Sequence, residues 1–214
     1  AMAIANLVWG IGAVLAGAIA DKYGAGRVIV GSALATSAGL YLMYAAQSPL
    51  ELYLSGVLLG IGVCGTGVTA LVGAVGRAVE PGKRIAAIAS LGMAGGIGGF
   101  IAFPYAHVLI EWLGWQMSLL VLAATAALMI PLAWPLSGKP ATQQSAIKPQ
   151  SLKDAFNEAF AYPSFWLLTA GFFVCGFHVA FYSVHLPAFV ADKGLDASVG
   201  VWALMAVGIA NIIG

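Results

Sequence analysis

Long apolar runs constrain this chain more than any other feature of its sequence. Six of them, at 1–20, 28–46, 51–75, 85–110, 115–134 and 163–187, are each long enough to cross a bilayer, and a seventh opens near Val199. About 20 apolar residues in a helix cover the roughly 30 Å of hydrocarbon in a membrane. No run contains Lys or Arg except near its ends. An open sheet cannot satisfy its backbone in lipid. Barrel strands would alternate with a period of two over short segments, whereas these runs are continuously apolar. The chain is therefore read as an all-α membrane protein.

The rest of the composition agrees. Only 8% of the 214 residues are charged and 61% are hydrophobic, whereas soluble domains carry about a quarter charged residues. So few charges cannot cover a water-facing surface, and lipid must be the solvent for much of the chain. The net charge of +1 gives no reason to expect a nucleic-acid partner.

The placement of the basic residues carries more information than their number. Alternate gaps between runs hold Lys22 and Arg27, then Arg77, Lys83 and Arg84, then Lys139, Lys148 and Lys153. The intervening gaps, near 47–51, 111–114 and 188–198, hold only Lys193. By the positive-inside rule the basic gaps are cytoplasmic. One missed or invented span would scramble the alternation. The expectation is a multi-pass protein of the cell inner (plasma) membrane whose central linker is cytoplasmic.

Several other signals are read conservatively. Cys64 and Cys175 lie inside apolar runs without metal-ligand spacing, and no metal or cofactor is expected. Ala18-Ile19-Ala20 looks like a signal-peptidase site, but no basic region precedes it, and cleavage would export the Lys22/Arg27 loop. Termini that fall inside apolar runs suggest a fragment open at both ends. Arg77, Glu80, Lys83 and Arg84 read as a charged cytoplasmic loop, with Glu80 and Arg84 spaced for an i,i+4 pair.

The expected domains are a half-bundle at 1–134, a cytoplasmic linker at 135–162, and the start of a second half-bundle at 163–214. The linker begins at Pro135 and is rich in Pro, Gln and Ser to residue 150. It then turns periodic, with Leu152, Ala155, Phe156, Ala159 and Phe160 at helical spacing. Ser151 and Asp154 form a variant of the capping box. A short amphipathic helix on the cytoplasmic membrane surface is expected there, with a solvated loop as the alternative. Pairs of glycines four apart, Gly56/Gly60, Gly92/Gly96 and Gly95/Gly99, are expected to let helices approach closely. Pro104 is expected to kink the fourth run.

The first gap reads Gly17-Ala-Ile-Ala-Asp21-Lys22-Tyr23-Gly24-Ala25-Gly26-Arg27. It resembles the loop signature of the major facilitator superfamily at Gly17, Asp21, Lys22, Gly24 and Arg27, and departs from it at Gly26. Gly95 to Pro104, and Gly114-Trp115-Gln116, are similar to the monocarboxylate-porter-like branch, apart from Gln116 where that branch has arginine. The resemblance implies a chain running from the second helix of such a bundle into the eighth. It also implies that the Asp21–Arg27 cluster latches two half-bundles on the cytoplasmic side. The residues alone support a tight turn at Gly24 and Gly26 with Arg27 in reach of Asp21 or a helix end. The competing role for these charges is topology alone.

Polar residues inside the runs are few, and they line up. Gly171, Cys175, His178, Tyr182 and His185 form one stripe at helical spacing, and Ser55, Gly62, Thr66 and Thr69 form another. Polar atoms in hydrocarbon need partners or water, so both stripes are expected to face inward. His178, Tyr182, Cys175, Thr66 and Thr69 are the substrate- or proton-pathway candidates. His178 is the one visible mid-span side chain of a type able to carry a proton near neutrality, and His185 and His107 lie nearer the outer ends of their runs. The expected activity is secondary active transport of a small solute, such as a monocarboxylate or other organic anion, with a coupled proton as an option. With no nucleotide-binding motif, an ion or solute gradient would supply the energy. The alternatives are a transporter-like sensor and an intramembrane enzyme. Apart from Glu51 at the edge of its run, the spans contain no Asp or Glu, no HExxH and no GxSxG, so an enzyme has little to work with.

Overall fold

The computed structural model describes residues 2–67, 71–73, 75, 79–133 and 152–213, and every regular element among them is a helix. The elements are α1 (Met2–Tyr23), α2 (Ala25–Ala45), α3 (Pro49–Thr66), a single 3-10 turn at Pro81–Lys83, α4 (Arg84–Ala127), α5 (Met129–Leu132), α6 (Leu152–Ala161), α7 (Pro163–Asp192) and α8 (Ala197–Ile213).

The stretch Arg84–Leu132 is 49 residues long and apolar on average. As one straight helix it would measure about 74 Å, more than twice the thickness of the hydrocarbon. Gly114 resolves this. It adopts φ 74, ψ 163, a conformation that residues with a side chain rarely reach. Tyr105 and Thr125, twenty residues apart, share a hydrogen bond at 2.9 Å between their hydroxyls, whereas a continuous helix would separate them by about 30 Å. α4 is therefore an antiparallel hairpin with arms at 84–113 and 115–127, matching the fourth and fifth apolar runs. Pro104 lies inside the first arm, and the one residue of α4 with non-helical dihedrals is Gly114.

Helices α1, α2 and α3 interlock through missing side chains. α3 runs antiparallel to α2. A methyl on Gly39 would meet Leu59 at 3.0 Å, one on Gly62 would strike Thr36, and one on Gly65 would meet Val28 at 2.6 Å. α3 runs parallel to α1, where a methyl on Gly60 would sit 2.7 Å from the Ala5 carbonyl and the Val8 side chain. Four residues on, the Cys64 thiol donates to its own Gly60 carbonyl at 3.0 Å and lies 3.5 Å from the Trp9 carbonyl. The second arm of α4 joins through Ser37, whose hydroxyl donates to the Ala123 carbonyl at 3.0 Å. Backbones this close gain dispersion contacts that bulkier side chains would block.

Caps set the ends of these helices. Ser48 and Glu51 form a full capping box at the start of α3: Ser48 Oγ accepts from the Glu51 amide, and the Glu51 carboxylate accepts from the amides of Ser48 (3.2 Å) and Gln47 (2.6 Å). Pro49 occupies the first helical position, where its missing N–H costs nothing. The helix thus starts two residues before the apolar run did. Ser151, the other expected cap, lies outside the described residues.

Two charge and glycine expectations need correction. Glu80 pairs with Lys83 at 3.2 Å rather than with Arg84. Pro81–Lys83 is a 3-10 turn, in which residues three apart eclipse. Arg84 instead donates from Nε to the Val79 carbonyl at 3.3 Å. In α4 only Gly96 packs closely, against Gly208 and Ile212 of α8, while Gly92, Gly95 and Gly98 face open space.

The chain divides into two compact units, Ala1–Ala141 with Met205–Gly214, and Thr142–Leu204. α8 contributes to both: its second half packs on α4 in the first unit, and Gly200 lies against Pro187 and Val190 of α7 in the second.

Candidate functional site

Gly24 alone makes the turn between α1 and α2. Its φ of 94 and ψ of 143 reverse the chain in one residue, and its amide donates to the Ala20 carbonyl at 2.9 Å. Ala20, Gly24, Ala25 and Gly26 are buried, so the two helix ends press together. Gly26, expected in the turn with Gly24, is an ordinary helical residue in the first turn of α2, and it is buried. A methyl on Gly17 would meet nothing within 4 Å. Lys22 and Arg27 are exposed, and the Lys22 ammonium lies 5.3 Å from the centre of the Tyr23 ring. Asp21 is placed as backbone in the last turn of α1, three residues before Gly24. The geometry is a one-residue corner that brings basic side chains from two helices onto one exposed edge.

The α3 stripe divides. Ser55 is completely buried and donates to its own Leu52 carbonyl at 2.9 Å, which satisfies the hydroxyl within the helix. Gly62 packs on Thr36. Both are buried within the bundle. Thr66 is half-buried, donates to the Gly62 carbonyl at 3.0 Å, and lines an apolar recess of about 190 Å³ with Ile29, Leu71, Met129, Leu132 and Ala133. Thr69 lies outside the described residues, as do Arg77 and the linker residues Lys139 and Lys148.

The α7 stripe is exposed along its length, with Tyr182 half-buried; the buried residue of this helix is Val190. His178 Nδ1 lies 2.8 Å from the Val174 carbonyl. A carbonyl can only accept, so Nδ1 carries the hydrogen and Nε2 keeps a free lone pair. Cys175 is exposed one turn away. His185 stacks at a tilt on Phe181, with ring centres 5.2 Å apart. Tyr182 and His185 share an open groove of about 530 Å³ with Phe181, Phe189 and Asp192. His107, at the far end of the first arm of α4, pairs with Glu111 at 3.4 Å. The structure brings Tyr182 and His185 together at one groove, and His178 with Cys175 on one stripe. Asp192 was missing from the sequence-based set, although it follows His185 by seven residues, two helical turns along the same face.

Among the described residues no cluster of His, Cys, Asp and Glu could hold a metal ion.

Comparison with known proteins supplies the wider setting. The profile described as Major Facilitator Superfamily matches residues 1–214. The curated relatives include the multidrug resistance protein MdtH of Aeromonas hydrophila, 36% identical over 135 residues, which are 59% of this chain and 33% of that protein. MdtH of Aeromonas salmonicida is 35% identical over the same shares of each chain. The chain thus spans about a third of the length of these relatives. Among solved structures, the peptide transporter POT, as a mutant in complex with alafosfalin, aligns with a TM-score of 0.54 at 18% identity, covering 89% of this chain and 39% of that one. The same mutant without that compound aligns with a TM-score of 0.55 at 17% identity, covering 86% and 37%. At this identity the likeness concerns the fold.

Proposed function

Because the chain belongs to the major facilitator superfamily, we propose that the protein is a secondary active transporter that moves a small solute across the membrane by alternating access. The observation that carries this reading is the α1–α2 corner. Gly24 turns the chain in a single residue and leaves Lys22 and Arg27 exposed at the edge that also holds Asp21. In this reading the corner is cytoplasmic, and its charges hold the half-bundles together in one state and release them in the other. A charge-assisted contact there stabilises one conformer by about 1 kcal/mol or more, enough to shift a two-state equilibrium severalfold.

The solute reading follows from what the spans contain. An organic anion such as a monocarboxylate needs a polar partner inside the membrane, and His178, with Nδ1 held by the Val174 carbonyl, offers Nε2 for that role. Binding of anion and proton would then be linked, because each raises the affinity for the other. A second reading rests on the α7 groove, where Phe181, Tyr182 and Phe189 present rings beside the Asp192 carboxylate. That surface suits an aromatic or cationic solute, and the curated relatives carry the name multidrug resistance protein. Uptake into proteoliposomes, measured with a labelled monocarboxylate and with a lipophilic aromatic cation, separates the two. The latch itself is tested by Asp21→Asn. Transport per inserted molecule should fall about fivefold, as expected for the loss of about 1 kcal/mol, with insertion unchanged. Equal transport per molecule would leave these charges with topology alone.

A further inference from the structure

The junction between α6 and α7 is a closed corner of aromatic rings. Tyr162 is extended, Pro163 opens α7, and the Phe165 amide donates back to the Tyr162 carbonyl at 3.0 Å. Phe160 of α6 stacks on Trp166 of α7 with ring centres 5.4 Å apart. Phe165 meets the edge of Phe160 at 5.6 Å, and Phe156 lies 5.7 Å away on the other side. The Trp166 indole donates to the Phe160 carbonyl at 3.1 Å, which ties the end of α6 to the first turn of α7.

The outer faces of these rings remain open: Phe156, Phe160 and Trp166 are 41%, 49% and 55% exposed. They share a side. At 100° per residue, Leu152, Ala155, Phe156, Ala159 and Phe160 fall within an arc of about 140°, and Lys153, Asp154, Asn157 and Glu158 lie outside it. α7 fixes the level at which this face sits. Its 30 residues measure about 45 Å, the thickness of a bilayer with its headgroups. The first turn of α7 therefore lies at the headgroup level, where Trp and Tyr rings are favoured. The apolar arc of α6 meets the first turn of α7 at the Phe160–Trp166 stack.

We propose that the α6–α7 corner is a lipid anchor. α6 lies along the bilayer surface with Phe156 and Phe160 inserted at the headgroup–acyl boundary, and the ring cluster around Trp166 locks it to α7, setting the depth of that span. Its occupant is the phospholipid interface, engaged through apolar insertion. One basic residue against two acidic ones in α6 gives no attraction to anionic lipid. The anchor is independent of the solute carried.

Spin labels on single cysteines in the full-length protein test this, with the native cysteines replaced by serine and the protein reconstituted in liposomes. Labels at Phe156 and Ala159 should meet dissolved oxygen readily and a water-soluble nickel chelate poorly, and labels at Asn157 and Glu158 should do the reverse, with a severalfold contrast. The contrast should be the same in phosphatidylcholine and in phosphatidylcholine with phosphatidylglycerol. Equal nickel access on both faces would mean a solvated segment. Poor access to both reagents at Phe156 and Ala159 would mean packing against protein. A contrast that requires phosphatidylglycerol would mean charge-driven binding. Any of the three overturns the anchor. Trp166→Ala in monodisperse protein should raise nickel access at Ala159, and unchanged access would overturn the locking role of the ring cluster.

Discussion

α3 and α7 are equally apolar helices with opposite surroundings. α3, of 18 residues, buries Ser55, Gly56, Gly60, Gly62, Cys64 and Gly65 in the bundle with α1 and α2, whereas α7, of 30 residues, buries Val190. Glycines show the difference most clearly. A methyl added at Gly60, Gly62 or Gly65 collides with a neighbouring helix, while one at Gly171 or Gly176 meets nothing within 4 Å. Small residues in a span therefore mark a contact only where the partner helix brings its backbone close. In α3 the packing decides which face turns inward. In α7 the direction of the polar stripe rests on spacing and on the cost of polar atoms in lipid.

The largest expected effect concerns the ends of α7. Cysteines at Ser145 and Ser198 flank this helix, and an impermeant thiol reagent applied to intact cells should label the second and spare the first. This follows from the eight-to-one split of basic residues between alternate gaps. Labelling of both, or of Ser145 alone, would invert or break the assigned orientation.

Gly62→Ala set against Gly95→Ala sharpens the packing side of the comparison. The first methyl collides with Thr36, whose backbone nitrogen would be 2.8 Å away, and should cost about 1–3 kcal/mol. The second enters open space and should be neutral or stabilising by up to about 1 kcal/mol through helix propensity. Thermal unfolding of the purified protein in detergent measures both. Similar midpoints for the two variants would show that α3 and α4 tolerate bulk alike.

A smaller change is expected from His178→Gln. Glutamine keeps a polar group on the stripe but cannot take up a proton, so transport should lose or shift its pH dependence while the protein stays folded. Rate against pH in proteoliposomes checks this. An unchanged profile with unchanged apparent affinity would make His178 a packing residue.

The spans were legible in the sequence because hydrocarbon imposes length and apolarity directly. The boundary between the fourth and fifth runs fell at 111–114, and the structure puts the reversal at Gly114. Details that depend on local geometry were less legible. Ser48-Pro49-Leu50-Glu51 holds a complete helix-start signal, yet an apolar-run reading starts that helix two residues late. Glu80 was expected to pair with Arg84 because a regular helix was assumed, and the 3-10 turn brings Lys83 into place instead. Gly26 looked like a turn residue and is a buried helical one. The inward direction of Gly62 was foreseen, but what it faces is the neighbouring helix α2 at Thr36, because spacing gives a face and cannot name the partner.

Solute counterflow tests the transport account most directly. Proteoliposomes preloaded with unlabelled solute are diluted into labelled solute, without nucleotide. A carrier that alternates access returns loaded, so internal solute should accelerate uptake of the label and carry it transiently above equilibrium. Uptake that ignores internal solute, or that requires ATP, would contradict the account.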